Sequence, residues 1–230
     1  MKNLAIIPAR GGSKRIPRKN IKTFMGKPII AYSIEIALQS ELFDEVMVST
    51  DDEEIAEVAK ECGAGVPFLR SPETANDYAT TAEVLLEVLS EYKKNGICFD
   101  YVCCIYPTAP FITTLNLSIA YNKLLDKSYD CVFTIVPYSY PVLRSLDFID
   151  DRTRMLWPEY LNSRSQDLRT IYHDAGQFYF FKTEAFLSEK QFWTDNTSAI
   201  ELSELEVQDL DTLIDWQLAE MKYSLLHKNE

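Results

Sequence analysis

Histidine is nearly absent, with two residues in 230, and this excludes a histidine-rich metal centre. His173 has no Ser or Cys partner in its motif and gives no nucleophilic triad; His227 sits in a polar C-terminal stretch. The five cysteines (62, 98, 103, 104 and 131) are odd in number and form no CxxC pair. That pattern argues against a disulfide framework and a zinc site and fits a reducing cytoplasm. No apolar run approaches the roughly 20 residues that span a bilayer. The opening residues, MKNLAIIPAR, meet Pro8 and Arg10 before a signal-peptide core could form, so they read as a buried strand of a cytoplasmic protein with no membrane partner. Neither the Walker A pattern nor the GxGxxG dinucleotide fingerprint occurs, and there is no internal repeat or low-complexity tract.

Acidic residues are missing from one region only. None precedes Glu35, whereas eight of the 23 basic residues do: Lys2, Arg10, Lys14, Arg15, Arg18, Lys19, Lys22 and Lys27. The net charge is nevertheless −12, so the rest of the chain is strongly acidic and would repel a nucleic-acid backbone. A small cationic focus on an acidic body suits a compact polyanion, such as a nucleoside triphosphate held with metal. The alternative is a solvated basic face, but interleaved Gly, Ser and Pro make the stretch a loop.

Strand and helix patterns alternate from the start. Strands are predicted at NLAIIPA, 44–50, 66–69, 100–107 and 129–137, and helices at 28–40, 52–63, 74–96 and 113–127, the last capped by Thr113. Such alternation predicts an α/β fold, a mostly parallel Rossmann-like sheet flanked by helices, with ligands beyond the carboxyl ends of the strands. The loops after Ala9, Thr50, Pro107 and Val136 should meet there. Residues 138–175 break the pattern with six aromatics and five arginines but no lysine, and predict a strand-rich excursion. The chain returns to the sheet at 176–182, forms a late strand at 198–202 and closes with a helix over 211–228. The expected organisation is a nucleotide-binding domain of residues 1–137 plus 176–230, with 138–175 inserted as a dimerisation arm. Lysine depletion with aromatic and Arg enrichment is the composition of interface cores, so a homodimer is expected.

The element Arg10-Gly11-Gly12-Ser13-Lys14 follows the first strand. Two glycines let backbone N–H groups approach a phosphate, and the surrounding Lys and Arg supply charge-assisted bonds. The whole stretch IPARGGSKRIPRKN resembles the nucleotide loop of the cytidylyltransferases that activate nine-carbon acidic sugars, the CMP-sialic acid synthetase family. Further segments agree in order: VSTDDEEIAEVAKECGA (48–64), LRSPETANDYATT (69–81), YPTAPF (106–111), SRSQDL (163–168), HDAGQFY (173–179) and QDLDT (208–212). Arg15 stands where that family usually has Gly and Tyr106 where it usually has Gln. With the SRSQDL and YHDAGQFY stretches, these departures resemble the branch that acts on pseudaminic acid, the alternatives being N-acetylneuraminate and legionaminate.

The resemblance implies attack of the sugar's anomeric hydroxyl on the α-phosphate of CTP, releasing pyrophosphate. It places Ala9, Arg10, Gly11, Gly12, Ser13, Lys14, Lys19 and Asn20 around the triphosphate, with Arg10 and Lys19 as the transition-state cations. Ser13 and Lys14 also read as ordinary turn residues. Arg70, Asp77 and Thr81 match the segment bordering the cytidine, although Asp77 reads equally as a helix N-cap. Tyr106, Thr108, Arg144, Arg164, Gln166, Asp174, Gln177 and Tyr179 match the sugar side, with Arg144 or Arg164 as the carboxylate clamp. Asp209 and Asp211, two apart, would point to one side of an extended segment and hold Mg²⁺, with Mn²⁺ as a substitute, against the triphosphate; Asp211 also reads as the cap of the closing helix. Two other readings remain open: a nucleotide-sugar glycosyltransferase clamped by Asp209 and Asp211, and a CTP-binding protein without turnover.

Overall fold

A computed structural model describes residues 1–228; the last two residues of the expected 176–230 segment lie outside them. In chain order the strands are β1 (Asn3–Pro8), β2 (Thr23–Phe24), β3 (Lys27–Pro28), β4 (Glu45–Ser49), β5 (Tyr101–Ile105), β6 (Cys131–Pro137), β7 (Leu146–Ile149), β8 (Arg152–Met155), β9 (Tyr172–Lys182) and β10 (Thr197–Glu201). The helices are α1 (Ile29–Gln39), α2 (Glu53–Glu61), α3 (Pro72–Ala75), α4 (Thr81–Lys94), α5 (Thr114–Asp126), α6 (Thr183–Glu189) and α7 (Leu213–Leu226).

Six strands form the main sheet in the order β10-β6-β9-β5-β1-β4. All neighbours are parallel except β9, which runs antiparallel to both β5 and β6. The sheet is therefore mostly parallel, as the alternation predicts. Leu4, Ala5, Ile6 and Ile7 of β1 are fully buried because both faces of the sheet are covered, which is why that strand reads as an unbroken apolar run. The chain pairs β1 with β4 on one side and later with β5 on the other. That reversal opens a crevice at the carboxyl end of β1.

A smaller apolar cluster positions the loops above that crevice. Ile16 of the basic loop and Leu210 of the segment before α7 are both 1% exposed, and they pack with Phe24, Ile29, Tyr32, Phe111, Trp216 and Ala219. Two loops distant in sequence are thus anchored on one core, each by a single buried side chain.

Several expected elements differ. Residues 66–69 are not a strand: only Gly65 bridges Met47, because Pro67 has no N–H with which to extend the ladder. The helix expected over 74–96 is two helices. The Asn76 side chain accepts from the N–H groups of Tyr78 (2.8 Å) and Ala79 (3.0 Å), which ends α3, and a capping box between Thr80 and Glu83 starts α4. Asp77 is therefore not a cap. Nor is Asp211, because α7 begins with a capping box between Thr212 and Asp215. Strand β9 starts at Tyr172, four residues earlier than expected, and the β2–β3 hairpin and α6 were not anticipated. The stretch 138–171 contains 3₁₀ turns and the antiparallel β7–β8 hairpin, on which Leu146, Phe148 and Ile149 are 59%, 67% and 62% exposed.

Candidate active site

The basic loop leaves β1 at Ala9, whose N–H donates to the Ser49 carbonyl (2.9 Å). Gly11 follows because nothing larger fits: a Cβ there would lie 2.6 Å from Asp52 Oδ2. Its N–H donates to Asp51 Oδ1 (3.0 Å), and the buried Asn20 side chain donates to the Arg10 carbonyl (2.9 Å), closing the loop on itself. Arg18, held in the left-handed region at φ 55°, pairs with Asp52 and Glu54. Asp52 also caps α2 through the N–H of Ile55 (3.0 Å), so Arg18 ties the loop to the sheet through α2.

A cleft of about 440 Å³ opens between this loop and the ends of β1 and β5, a size suited to a nucleotide. Of the expected residues, Arg10, Ser13, Lys14, Lys19, Asn20, Arg70, Thr81, Tyr106 and Thr108 line it. Pro8, Arg15, Ile16, Ala79, Val84 and Pro107 also line it and were not singled out as ligand contacts. An isoleucine inside a basic loop was the one available signal of an anchor.

Every cation facing the cleft has a protein partner. Asp77 bridges Arg10, at 2.6 Å from Nη1, and Lys14. The hydrogen bonds from Lys14 and then Arg10 hold its carboxyl below the ordinary range. Arg15 pairs with Asp211. The Lys19 ammonium donates to the Leu210 carbonyl (2.8 Å); burial pulls it below the ordinary lysine value, against the pull of Asp211 and Asp209. Because Leu210 points into the core, the carboxylates on either side of it, Asp209 and Asp211, are carried outward towards Lys19.

Arg70 is buried, with Nε donating to Ser49 Oγ (3.1 Å) and Nη2 to the Ser49 carbonyl (2.6 Å), so it braces the end of β4 while lining the cleft. Burial lowers its pKa. Thr81 Oγ1 lies 3.4 Å from the Tyr106 hydroxyl, Tyr106 packs edge-on against Tyr179, and the Tyr179 hydroxyl donates to Asp174. Burial pushes the Tyr106 phenol up to about 12, so it stays a neutral hydroxyl in the cleft. Gln177 is buried and donates to the Glu206 carbonyl, fastening the segment that leads to Asp209 rather than facing the cleft. Arg144, Arg164 and Gln166 are exposed on the arm, away from this cleft, and Arg164 is engaged with Asp167 (2.7 and 3.2 Å). Gly12 is solvent-exposed at the loop tip.

Asp209 and Asp211 fit a divalent cation in one specific way. No group of three or more His, Cys, Asp or Glu side chains is gathered for a metal among the described residues. Two outward carboxylates beside a cation-lined cleft match the usual holding of Mg²⁺ by one or two carboxylates plus substrate phosphates.

A mostly parallel sheet whose switch-point cleft is lined by a loop of cations, with two carboxylates beside it, matches a nucleotidyltransferase architecture. The cytidylyltransferase family model matches residues 4–229. The chain is 43% identical over 230 residues to pseudaminic acid cytidylyltransferase of Campylobacter jejuni subsp. jejuni serotype O:2, covering 100% of this chain and 99% of that protein. It is 36% identical over 231 residues to CMP-N,N'-diacetyllegionaminic acid synthase of Legionella pneumophila subsp. pneumophila, covering 96% and 95% of the two. The solved structure of CMP:2-keto-3-deoxy-manno-octonic acid synthetase complexed with CTP superposes with a TM-score of 0.71 at 18% identity, over 99% of this chain and 100% of that one. The chain belongs to the cytidylyltransferase family. Among the described residues no helix is long and apolar enough to cross a membrane.

Proposed function

We propose that the chain transfers CMP from CTP to pseudaminic acid. The observation that carries this reading is the 43% identity over the full chain to an enzyme of that name, in a protein whose cations converge on one nucleotide-sized cleft. The sugar's anomeric oxygen forms a bond to the α-phosphorus as the bond to the bridging oxygen breaks; pyrophosphate leaves with the electron pair and the hydroxyl proton is released. Negative charge grows on the bridging and equatorial oxygens, so positioning and fixed cations supply most of the rate. Arg10, Lys14 and Lys19, which line the cleft, supply those cations, and Asn20 holds the loop that carries them. A divalent cation between Asp209 and Asp211 would neutralise triphosphate charge. Arg70 and Thr81 face the cytidine, while Tyr106 and Thr108 wall the sugar.

Pyrophosphate release with CTP, measured against a panel of nine-carbon acids, tests the reading. Pseudaminic acid should give the highest kcat/KM and N-acetylneuraminic acid a poor one; comparable values would sink the assignment. The 36% identical legionaminate relative makes a preference for that sugar the specific competing outcome.

The arm supports a homodimer. The apolar side chains of β7 face solvent in the single chain, and a two-stranded ribbon is barely stable without a surface to pack on. A two-fold partner is the simplest cover, and it would bring Arg144 and Arg164 towards the neighbouring cleft. Light scattering should give twice the 26.5 kDa chain mass, and a monomer at assay concentration would defeat this. Mixing inactive Lys19→Ala and Arg164→Ala subunits should restore part of the activity if the sugar site is shared.

A further inference from the structure

We infer that Arg15 is an exchanging counterion: it neutralises Asp211 in the empty enzyme and passes to the triphosphate when a divalent cation takes the carboxylate. This rests on the proposed reading of the cleft as a metal–triphosphate site. Arg15 both lines the cleft and pairs with Asp211, so one side chain spans the boundary between the phosphate pocket and the carboxylates. The backbones at its two ends are fixed. Ile16, the residue after Arg15, is buried in the same apolar cluster as Leu210, the residue before Asp211, and the Asp211 N–H donates to Asp215 (3.2 Å). Only the side chains are free to move, and they are 68% and 37% exposed. An ion pair this exposed is worth little, so it gives way to a stronger partner on either side.

The charges give the exchange its direction. Paired with each other, Arg15 and Asp211 carry no net charge. A divalent cation needs the carboxylate, and a triphosphate gains more from a guanidinium than a singly charged carboxylate does, through paired N–H donors. Each ligand alone must break the pair and leave one member unpaired. Together they use both members, so the pair couples metal and nucleotide binding reciprocally. Asp77 occupies Arg10 and Lys14 in the same way but is a different carboxylate on a different segment, so the Asp211 effect is separable by mutation.

Mn²⁺ binding to nucleotide-free protein, read by electron paramagnetic resonance, and CTP binding in chelator, read by calorimetry, test this without turnover. Arg15→Gln should tighten Mn²⁺ about two- to fivefold, the span carried by an exposed ion pair, and should weaken CTP by at least as much. In an Asp211→Asn background the Mn²⁺ gain should vanish. Unchanged Mn²⁺ affinity, or a gain that persists with Asp211→Asn, would overturn the exchange, the latter by reducing it to a general charge effect. Unchanged CTP affinity would overturn the transfer to the triphosphate. Failure of the wild-type protein to bind CTP either in chelator or with Mg²⁺ would overturn the nucleotide reading itself, and the exchange with it.

Discussion

Replacing Lys19 by Ala should lower kcat by roughly two to three orders of magnitude while KM for CTP changes far less, as happens when one preorganised charge donor to a transition state is removed. Lys19 is a cation of the loop fixed in advance. Its ammonium is held by the Leu210 carbonyl at 2.8 Å, partly buried, with Asp209 and Asp211 nearby, so no reorganisation is needed as charge develops. Arg10→Ala should have an effect of the same order, since the Asn20 side chain fixes the Arg10 backbone at 2.9 Å. A steady-state analysis separates the two roles these residues can play. Raised KM at unchanged kcat would mean that they bind ground-state triphosphate only. Lys19→Arg, which keeps the charge but alters its reach, should recover less than full activity if position matters as much as sign.

The sheet was legible because its signals are local and redundant. The run from Leu4 to Ile7 is apolar at every position, and Thr113 caps α5 as its place in the sequence suggests. The break between α3 and α4 was hidden because a side chain makes it. Asn76 takes backbone donors that a continuous helix would have used, and the amphipathic pattern on either side is unaffected. In the cleft, residue types were readable and partners were not. Asp77 reaches Lys14 across 63 positions and Leu210 reaches Lys19 across 191, separations at which only the packed fold decides who meets whom. Leu210 shows the gap most clearly. Its neighbours drew attention as two acids in register, whereas the hydrophobic residue between them is what aims both carboxylates.

That aim sets the second large effect. Asp211→Asn and Asp209→Asn should each reduce kcat about a hundredfold or more in Mg²⁺, because each would remove a charged oxygen from the proposed metal site, where triphosphate charge must be neutralised. Folding should barely change. Asp211 contributes an exposed pair with Arg15, worth about 0–1 kcal/mol, and Leu210 stays buried in either variant. Thr212→Ala supplies the contrast. It breaks the cap of α7, in which Thr212 Oγ1 accepts from the Asp215 N–H (3.3 Å), and should cost about 1 kcal/mol of stability. Because Thr212 is not part of the cleft lining and Asp215 can still accept from the Asp211 N–H, the variant's kcat should stay within about twofold of wild type, a margin far below the loss expected for a transition-state contact. Thermal melts and turnover measured on the three variants distinguish the roles of adjacent residues. If Asp211→Asn melted early and kept its rate, the carboxylate would be a structural counterion of Arg15, and Asp209 alone would remain as a protein ligand for the metal.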